Sequence, residues 1–68
     1  MKTFKITGEY IELCALLKVA DMASSGGEAK QHIAEGYVKV NGAVEFRKRY
    51  KARPGDVVEF NGEKVTVE

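Results

Sequence analysis

The residues whose types and spacing suggest chemistry form a short cationic segment, residues 47–53, which reads Arg-Lys-Arg-Tyr-Lys-Ala-Arg. Five of these seven side chains are positively charged, and Glu45 is the one acidic residue between Tyr37 and Pro54. Because carboxylate partners are scarce nearby, we expect the cations to contact an external polyanion. Each phosphate that such a cation neutralises releases condensed counterions, which favours binding. The candidate contacts in the cationic segment are Arg47, Lys48, Arg49, Lys51 and Arg53.

The same segment has a simpler interpretation as a solvated loop, since runs of charge are common on exposed surfaces. Under the binding interpretation, Tyr50 or Phe46 would offer a ring on which an unstacked base can lie. A different class of function is a protein-interaction adaptor, in which the segment docks on an acidic partner while Glu12, Glu28 and Glu35 stay in water. Nonspecific binding of DNA through the same charges is a third alternative, and sequence chemistry alone leaves all of these open.

The charge distribution separates a basic part of the chain from an acidic remainder. The chain has 68 residues and a net charge of +1. Residues 37–54 hold six basic residues and one acidic residue, a local balance of +5, so the rest of the chain carries −4. Such asymmetry predicts two oppositely charged surfaces. The length predicts a single domain over residues 1–68 with a small core.

Candidate catalytic and metal-binding groups are sparse. Cys14 and His32 are the one cysteine and the one histidine, too few for a zinc site. A thiol and an imidazole would also need an orienting acid, so we interpret Cys14 as a core-filling residue and His32 as partly buried. We expect no enzyme activity, no cofactor, no metal and no small-molecule substrate. The lone cysteine and the lack of a signal-peptide or membrane-span pattern predict a cytoplasmic protein without membrane association.

Two helices are predicted upstream of the cationic segment. Apolar residues at helical spacing predict the first from about Tyr10 to Ala20. Ser25 and Glu28 form a capping-box pattern that predicts the start of the second helix, and Gly36 predicts its end. Gly26 and Gly27 would leave the N–H groups of that helix start unshielded by side chains. We consider them a phosphate seat, with a flexible connection as the alternative.

Strands are predicted around these helices. Asn41-Gly42 and Asn61-Gly62 are hairpin turn signals. A two-residue turn at the second places Glu59 opposite Lys64 and Val58 opposite Val65. The cationic segment is expected to be an exposed loop. Alternating apolar residues predict the strands themselves, which are residues 3–6, 37–40, 43–46, 57–60 and 64–67.

The sequence of the second helix and the first hairpin resembles the signature of a known family, the S4 RNA-binding domain, also called the alpha-L motif. The resemblance extends from about Glu12 to Phe60, and residues 11–18, 47–49 and 53–56 look like the small stand-alone bacterial members of that family. It implies an α+β fold, with two packed helices against a small, mainly antiparallel sheet. The matching residues are Ser25, Ala29, Ile33, Gly36, Val38, Val40, Asn41 and Gly42.

The resemblance also implies a function, which is non-catalytic binding of structured RNA, ribosomal or transfer RNA, through a basic face. We expect the protein to be a monomer. Lys30 matches a position where the family usually carries a basic residue that contacts RNA. Glu12 and Gly26 depart from the pattern, because many members have arginine there. We therefore expect the cationic segment, together with Lys30 and Lys39, to form the main footprint.

Overall fold

The structure, a computed structural model, describes residues 2–68. Two helices follow one another early in the chain, and short strands precede and follow them. The elements are β1 (Lys2–Phe4), β2 (Ile11–Glu12), α1 (Leu13–Val19), α2 (Gly26–Ala34), β3 (Val38–Val40), β4 (Ala43–Val44), β5 (Lys51–Ala52), β6 (Val57–Phe60) and β7 (Glu63–Val67).

Within residues 2–68 the strands form a five-stranded sheet in the order β1-β7-β6-β3-β4 and a separate two-stranded pair of β2 with β5. The pairing of β1 with β7 is parallel, and the other pairs are antiparallel. The predicted architecture, two packed helices and a mainly antiparallel sheet, is confirmed.

Both predicted hairpins are present. Asn41 and Gly42 have φ angles of 52° and 87°, and Asn61 and Gly62 have 53° and 80°. Positive φ at both central residues is typical of the type I′ turn, whose twist matches that of the flanking strands. In the second hairpin Glu59 pairs with Lys64, and Val58 with Val65, as predicted.

The start of α2 is capped as predicted, with one difference. The Ser25 hydroxyl accepts a hydrogen bond of 3.1 Å from the Glu28 N–H. The Glu28 carboxylate, however, reaches Ser24 rather than Ser25, and accepts from its N–H at 3.2 Å and its hydroxyl at 2.9 Å. The bond from the Ser24 hydroxyl is the main reason that the pKa of Glu28 lies below its usual value. At the other end Gly36 has a φ of 81°, which confirms the predicted stop.

The first helix is shorter than predicted. It begins at Leu13 rather than near Tyr10, because Ile11 and Glu12 are extended and pair with β5. At its end the N–H of Asp21 donates to Lys18 O and the N–H of Met22 to Leu17 O, at 3.2 Å and 2.8 Å. This is the Schellman pattern, which needs a left-handed residue after the helix, and Asp21 takes that place with a φ of 64°.

The core lies between the helices and one face of the five-stranded sheet. In β3 the side chains of Val38 and Val40 are buried and that of Lys39 is exposed, as the alternation predicted. The burial of Cys14 is confirmed, and the apolar faces of both helices lie in the core. The buried residues of the core are Leu13, Cys14, Leu16, Leu17, Ala20, Met22, Ala23, Ala29, Ile33, Val38, Val40, Ala52, Val58, Val65 and Val67.

The prediction that residues 47–53 form an exposed loop is wrong in part. Lys51 and Ala52 form β5, and Ala52 is fully buried in the core. Ala52 is a small apolar residue among charged ones, so no alternating pattern predicts a strand there. Its pairing partner, β2, lies about 40 residues earlier in the chain. The predicted strands at residues 3–6 and 43–46 are also shorter than expected.

We predict that Asp21→Gly raises the free energy of unfolding by about 0.5–1 kcal/mol. Glycine adopts the left-handed conformation without Cβ strain, and the change removes a negative charge from the C-terminal end of α1. Urea unfolding followed by circular dichroism measures the effect. Asp21→Ala removes the same charge but keeps the strain, and should not be stabilising. If both variants gain equally, the strain argument is wrong.

Candidate nucleic-acid interface

The cationic segment is fixed to the start of α1 through its backbone. Glu12 precedes this helix and provides no side-chain cap. The free N–H groups of Leu13 and Cys14 donate instead to the carbonyls of Tyr50 and Lys48, at 2.8 Å and 3.2 Å. The segment therefore supplies the hydrogen-bond acceptors that a helix start requires.

The side chains of the segment border a surface depression of about 420 Å³. Tyr50 is half-buried there, whereas the cations around it are exposed. An open hollow with an aromatic ring among cations suits a phosphate chain with bases attached, because rings and cations serve the two parts of a nucleotide. The lining residues are Arg47, Arg49, Tyr50, Lys51 and Arg53.

Asp56 joins this segment to the first hairpin. Its Oδ2 accepts hydrogen bonds of 3.0 Å from the Tyr50 hydroxyl and from the Arg53 N–H. Its Oδ1 accepts one of 3.1 Å from the amide of Asn41, whose own oxygen accepts from the Val57 N–H at 2.9 Å. Sequence reasoning missed Asp56, since its partners lie up to 15 residues away. The local signal was the Pro-Gly turn that precedes it.

These contacts shift the pKa values of the Asp56 and Tyr50 side chains. Partial burial alone would raise the pKa of Asp56, but the bonds donated by Arg53, Asn41 and Tyr50 outweigh it and hold the pKa below its usual value. Burial is the main cause that raises the pKa of Tyr50, and its hydrogen bond to Asp56 adds to it. The ionised carboxylate is therefore part of the folded arrangement.

Arg47 differs from the unpaired cation that the sequence suggested. Its Nε and Nη2 donate to the two carboxylate oxygens of Glu45 at 2.9 Å and 3.0 Å, and its N–H donates to Oε2 at 3.0 Å. This pairing lowers the pKa of Glu45 and raises that of Arg47. The guanidinium carbon also lies 5.2 Å from the centre of the Tyr50 ring. Arg47 thus organises the segment, and its contact with a polyanion stays a prediction.

The remaining cations of the segment form no ion pair with a carboxylate among the described residues. Within residues 2–68 no ion pair shorter than 4.0 Å involves Lys48, Arg49, Lys51 or Arg53. The Lys51 ammonium lies 5.0 Å from the centre of the Tyr10 ring. A bond of 3.5 Å joins the Arg53 guanidinium to the Lys51 carbonyl. Their charges therefore remain available to an external anion.

Lys39 and Lys30 lie outside the depression. Lys39 is on the sheet face that points away from the core, with Val44 and Glu59 as its cross-strand neighbours. Lys30 is exposed on α2. Neither lysine borders the hollow around Tyr50. Their role in a shared footprint stays a prediction.

The proposed phosphate seat at Gly26 and Gly27 has weak geometric support. Gly26 is the first residue of α2. A Cβ at Gly26 would meet nothing within 4 Å, and one at Gly27 would meet only the Ser25 hydroxyl at 3.9 Å. The Glu28 carboxylate already occupies this helix start, where it would repel a phosphate. The seat stays an untested prediction.

Cys14 and His32, which the sequence analysis considered as catalytic groups, have different environments. Cys14 is buried in α1, whereas His32 in α2 stacks on Phe60 with ring centres 4.4 Å apart and lies 3.5 Å from Glu28. Within the described residues no three His, Cys, Asp or Glu side chains are arranged to hold a metal ion. In the same part of the chain, no helix has the length and apolar character needed to cross a bilayer.

Comparison with known proteins decides the family. The sequence pattern of the S4 domain matches residues 4–68. The chain belongs to the S4 domain family. This confirms the resemblance drawn from the hairpin and the second helix.

Relatives of this S4 domain protein come from several bacteria. YbcJ of Escherichia coli (strain K12) is 50% identical over 68 residues, covering 98% of this chain and 97% of YbcJ. RlbA of Bacillus subtilis (strain 168), named as a probable ribosome maturation protein, is 44% identical over 57 residues, 84% of this chain and 80% of RlbA.

A solved structure supports the same assignment. The solution structure of E. coli YbcJ, described as revealing an alpha-L motif involved in RNA binding, superposes with a TM-score of 0.75. It covers 98% of this chain and 86% of the other. The S4 domain protein is therefore of the YbcJ type.

We predict that Asp56→Asn lowers the free energy of unfolding at pH 7 by about 1–2 kcal/mol, because an amide cannot accept all the bonds that the carboxylate accepts. The folded-state pKa of Asp56 lies below its usual value of 3.8, so its stabilisation is present above about pH 4 and is lost as the pH falls through the folded pKa. Urea unfolding at a series of pH values measures this.

The difference in the free energy of unfolding between wild type and Asp56→Asn should accordingly narrow below about pH 4. Glu9→Gln is a matched control, since Glu9 is exposed and accepts no hydrogen bond among the described residues. A gap that stays constant down to the lowest pH would show that the charge of Asp56 is irrelevant to stability.

Proposed function

We propose that this protein binds structured RNA without catalysing a reaction, and that the cationic segment is the contact. The observation that carries the proposal is the set of unpaired cations around Tyr50. Lys48, Arg49, Lys51 and Arg53 have no carboxylate within 4.0 Å among residues 2–68. The backbone that carries them is fixed to α1 and to Asp56. A polyanion thus meets charges that are held in place and not already neutralised.

The relatives support RNA as that polyanion. YbcJ has a motif described as involved in RNA binding, and RlbA is named for ribosome maturation. Ribosomal RNA is therefore the class of ligand that we propose first, with transfer RNA as the second. An RNA ligand also fits a cytoplasmic, monomeric protein.

Recognition would rest on shape more than on sequence. The deep, narrow groove of an RNA helix hides base edges from side chains, while its phosphates follow a regular path. Arginine donates two parallel hydrogen bonds to a phosphate, so Arg49 and Arg53 give directional contacts. Lys48 and Lys51 add charge, and Lys30 and Lys39 would extend the footprint onto α2 and the sheet.

We predict that Arg49→Ala with Arg53→Ala lowers the affinity for a purified transfer RNA and reduces the slope of log affinity against log salt by about 2. Fluorescence anisotropy over a series of salt concentrations measures both. The melting temperature should hardly move, since both side chains are exposed.

Lys5→Ala with Lys64→Ala is the matched control, because it removes the same charge from two exposed lysines outside the hollow. An equal loss in both double variants would mean that net charge, rather than the cationic segment, drives binding. Duplex DNA that competes as well as folded RNA would favour nonspecific binding. The adaptor function would be favoured if this protein bound no RNA and retained a partner protein after nuclease treatment.

A further inference from the structure

Phe46 is exposed to an unusual degree for an aromatic residue. With 62% of its surface exposed, it exceeds every other large apolar side chain in residues 2–68. It lies directly before the cationic segment and outside the depression around Tyr50. Neither the core nor that depression accounts for a phenylalanine here.

The ring nevertheless has a fixed support. Gly36 has a φ of 81°, and a Cβ at this position would lie 3.2 Å from Cε1 and 3.4 Å from Cζ of Phe46. The outer edge of the ring thus rests on the backbone of Gly36, beside Cγ1 of Val44. Glycine adopts this backbone conformation without strain and leaves room for this approach, whereas a Cβ would push the ring away by a few tenths of an ångström. The rest of the ring remains in solvent.

The backbone on both sides of Phe46 is also held. Before it, the Glu45 N–H donates to the Val38 carbonyl at 3.0 Å. After it, Arg47 is bound to the Glu45 carboxylate through its N–H and its guanidinium. Glu45 and Arg47 therefore form a clamp around the intervening residue. A ring presented in this way loses little conformational freedom when it binds.

Three cations are neighbours of Phe46, one across the sheet and two along the chain. Lys39 is the cross-strand partner of Val44, and partners in adjacent strands have side chains on the same face. Lys48 and Arg49 follow two and three residues after Phe46. Glu59 is the partner of Lys39 in the adjacent strand β6, yet no ion pair shorter than 4.0 Å joins them in the described chain. An unpaired nucleotide presents a flat face and a phosphate together, which matches a ring among cations.

We infer that Phe46 is a platform on which one unpaired base of the RNA stacks, next to phosphates held by the cationic segment. The inference rests on the proposed RNA binding and specifies its ligand. That ligand is a folded RNA in which a paired region continues into at least one single-stranded nucleotide. A fully paired helix would leave the ring unused.

Three RNA probes test this: a short stem, the same stem with about six unpaired adenosines at each 3′ end, and that second RNA with abasic residues in both extensions. The last two have equal numbers of phosphates and differ in bases alone. Flexible extensions can reach the ring in any register. Fluorescence anisotropy with the full-length protein gives the three affinities.

Wild type should bind the adenosine extensions about tenfold more tightly than the abasic ones, the effect expected of one stacked base. Phe46→Ala should lose most of this preference, because only the half-buried ring of Tyr50 remains beside the cations, and should keep its affinity for the plain stem. Phe46→Tyr should retain the preference, because it keeps a ring. Tyr37→Ala is the matched control, since it removes another exposed ring that borders a different hollow, with His32 and Phe60.

Equal binding of the two extended RNAs by wild type, or an undiminished preference in Phe46→Ala, would overturn the inference. The plain stem would still be bound in both cases, so RNA binding itself would stand. If wild type binds none of the three probes, the proposed function fails as well. A Phe46→Ala variant that binds every RNA like wild type also rejects the inference, and leaves a protein as the occupant to be sought.

Discussion

The start of α1 imposes the constraint on which the rest of this structure depends. A helix that follows a strand directly, with no capping side chain, needs other acceptors for its first N–H groups. Here the carbonyls of Lys48 and Tyr50 provide them. These carbonyls face the helix, and Ala52 enters the core. The charged side chains of residues 48–51 are therefore exposed to solvent. One set of backbone bonds therefore both completes a helix and presents a cationic surface.

Two carboxylates organise this surface without neutralising most of it. Asp56 binds the backbone N–H of Arg53 and the hydroxyl of Tyr50, so it fixes the chain while the Arg53 guanidinium keeps its own contact to the Lys51 carbonyl. Glu45 neutralises Arg47, and in doing so holds the residues around Phe46. A hydrogen bond to a charged group is stronger than a neutral one, so few acids suffice to order a short segment.

The family assignment and the local geometry support different parts of the functional proposal. Membership of the S4 domain family and similarity to YbcJ point to RNA as the class of ligand. The arrangement of unpaired cations, of the half-buried Tyr50 and of the exposed Phe46 indicates which features of an RNA this chain would use. Glu12 lies opposite Lys51 in the backbone register of β2 and β5, without an ion pair shorter than 4.0 Å between them in the described chain. This departure from the family pattern therefore lies beside the cationic surface.

The sequence by itself determined the local elements, since their signals lie within a few residues. Ser25 and Gly36 delimit α2, Asn-Gly pairs set both hairpin turns, and alternation in β3 separated buried valines from Lys39. Tertiary structure alone decided the pairing of β5 with β2, the carbonyl caps on α1 and the choice of Arg47 as the paired cation. The strand pairing and the caps depend on partners that are distant in the chain. The ion pair depends on which of several neighbouring cations binds Glu45. Neither kind of choice leaves a periodic or local pattern in the sequence.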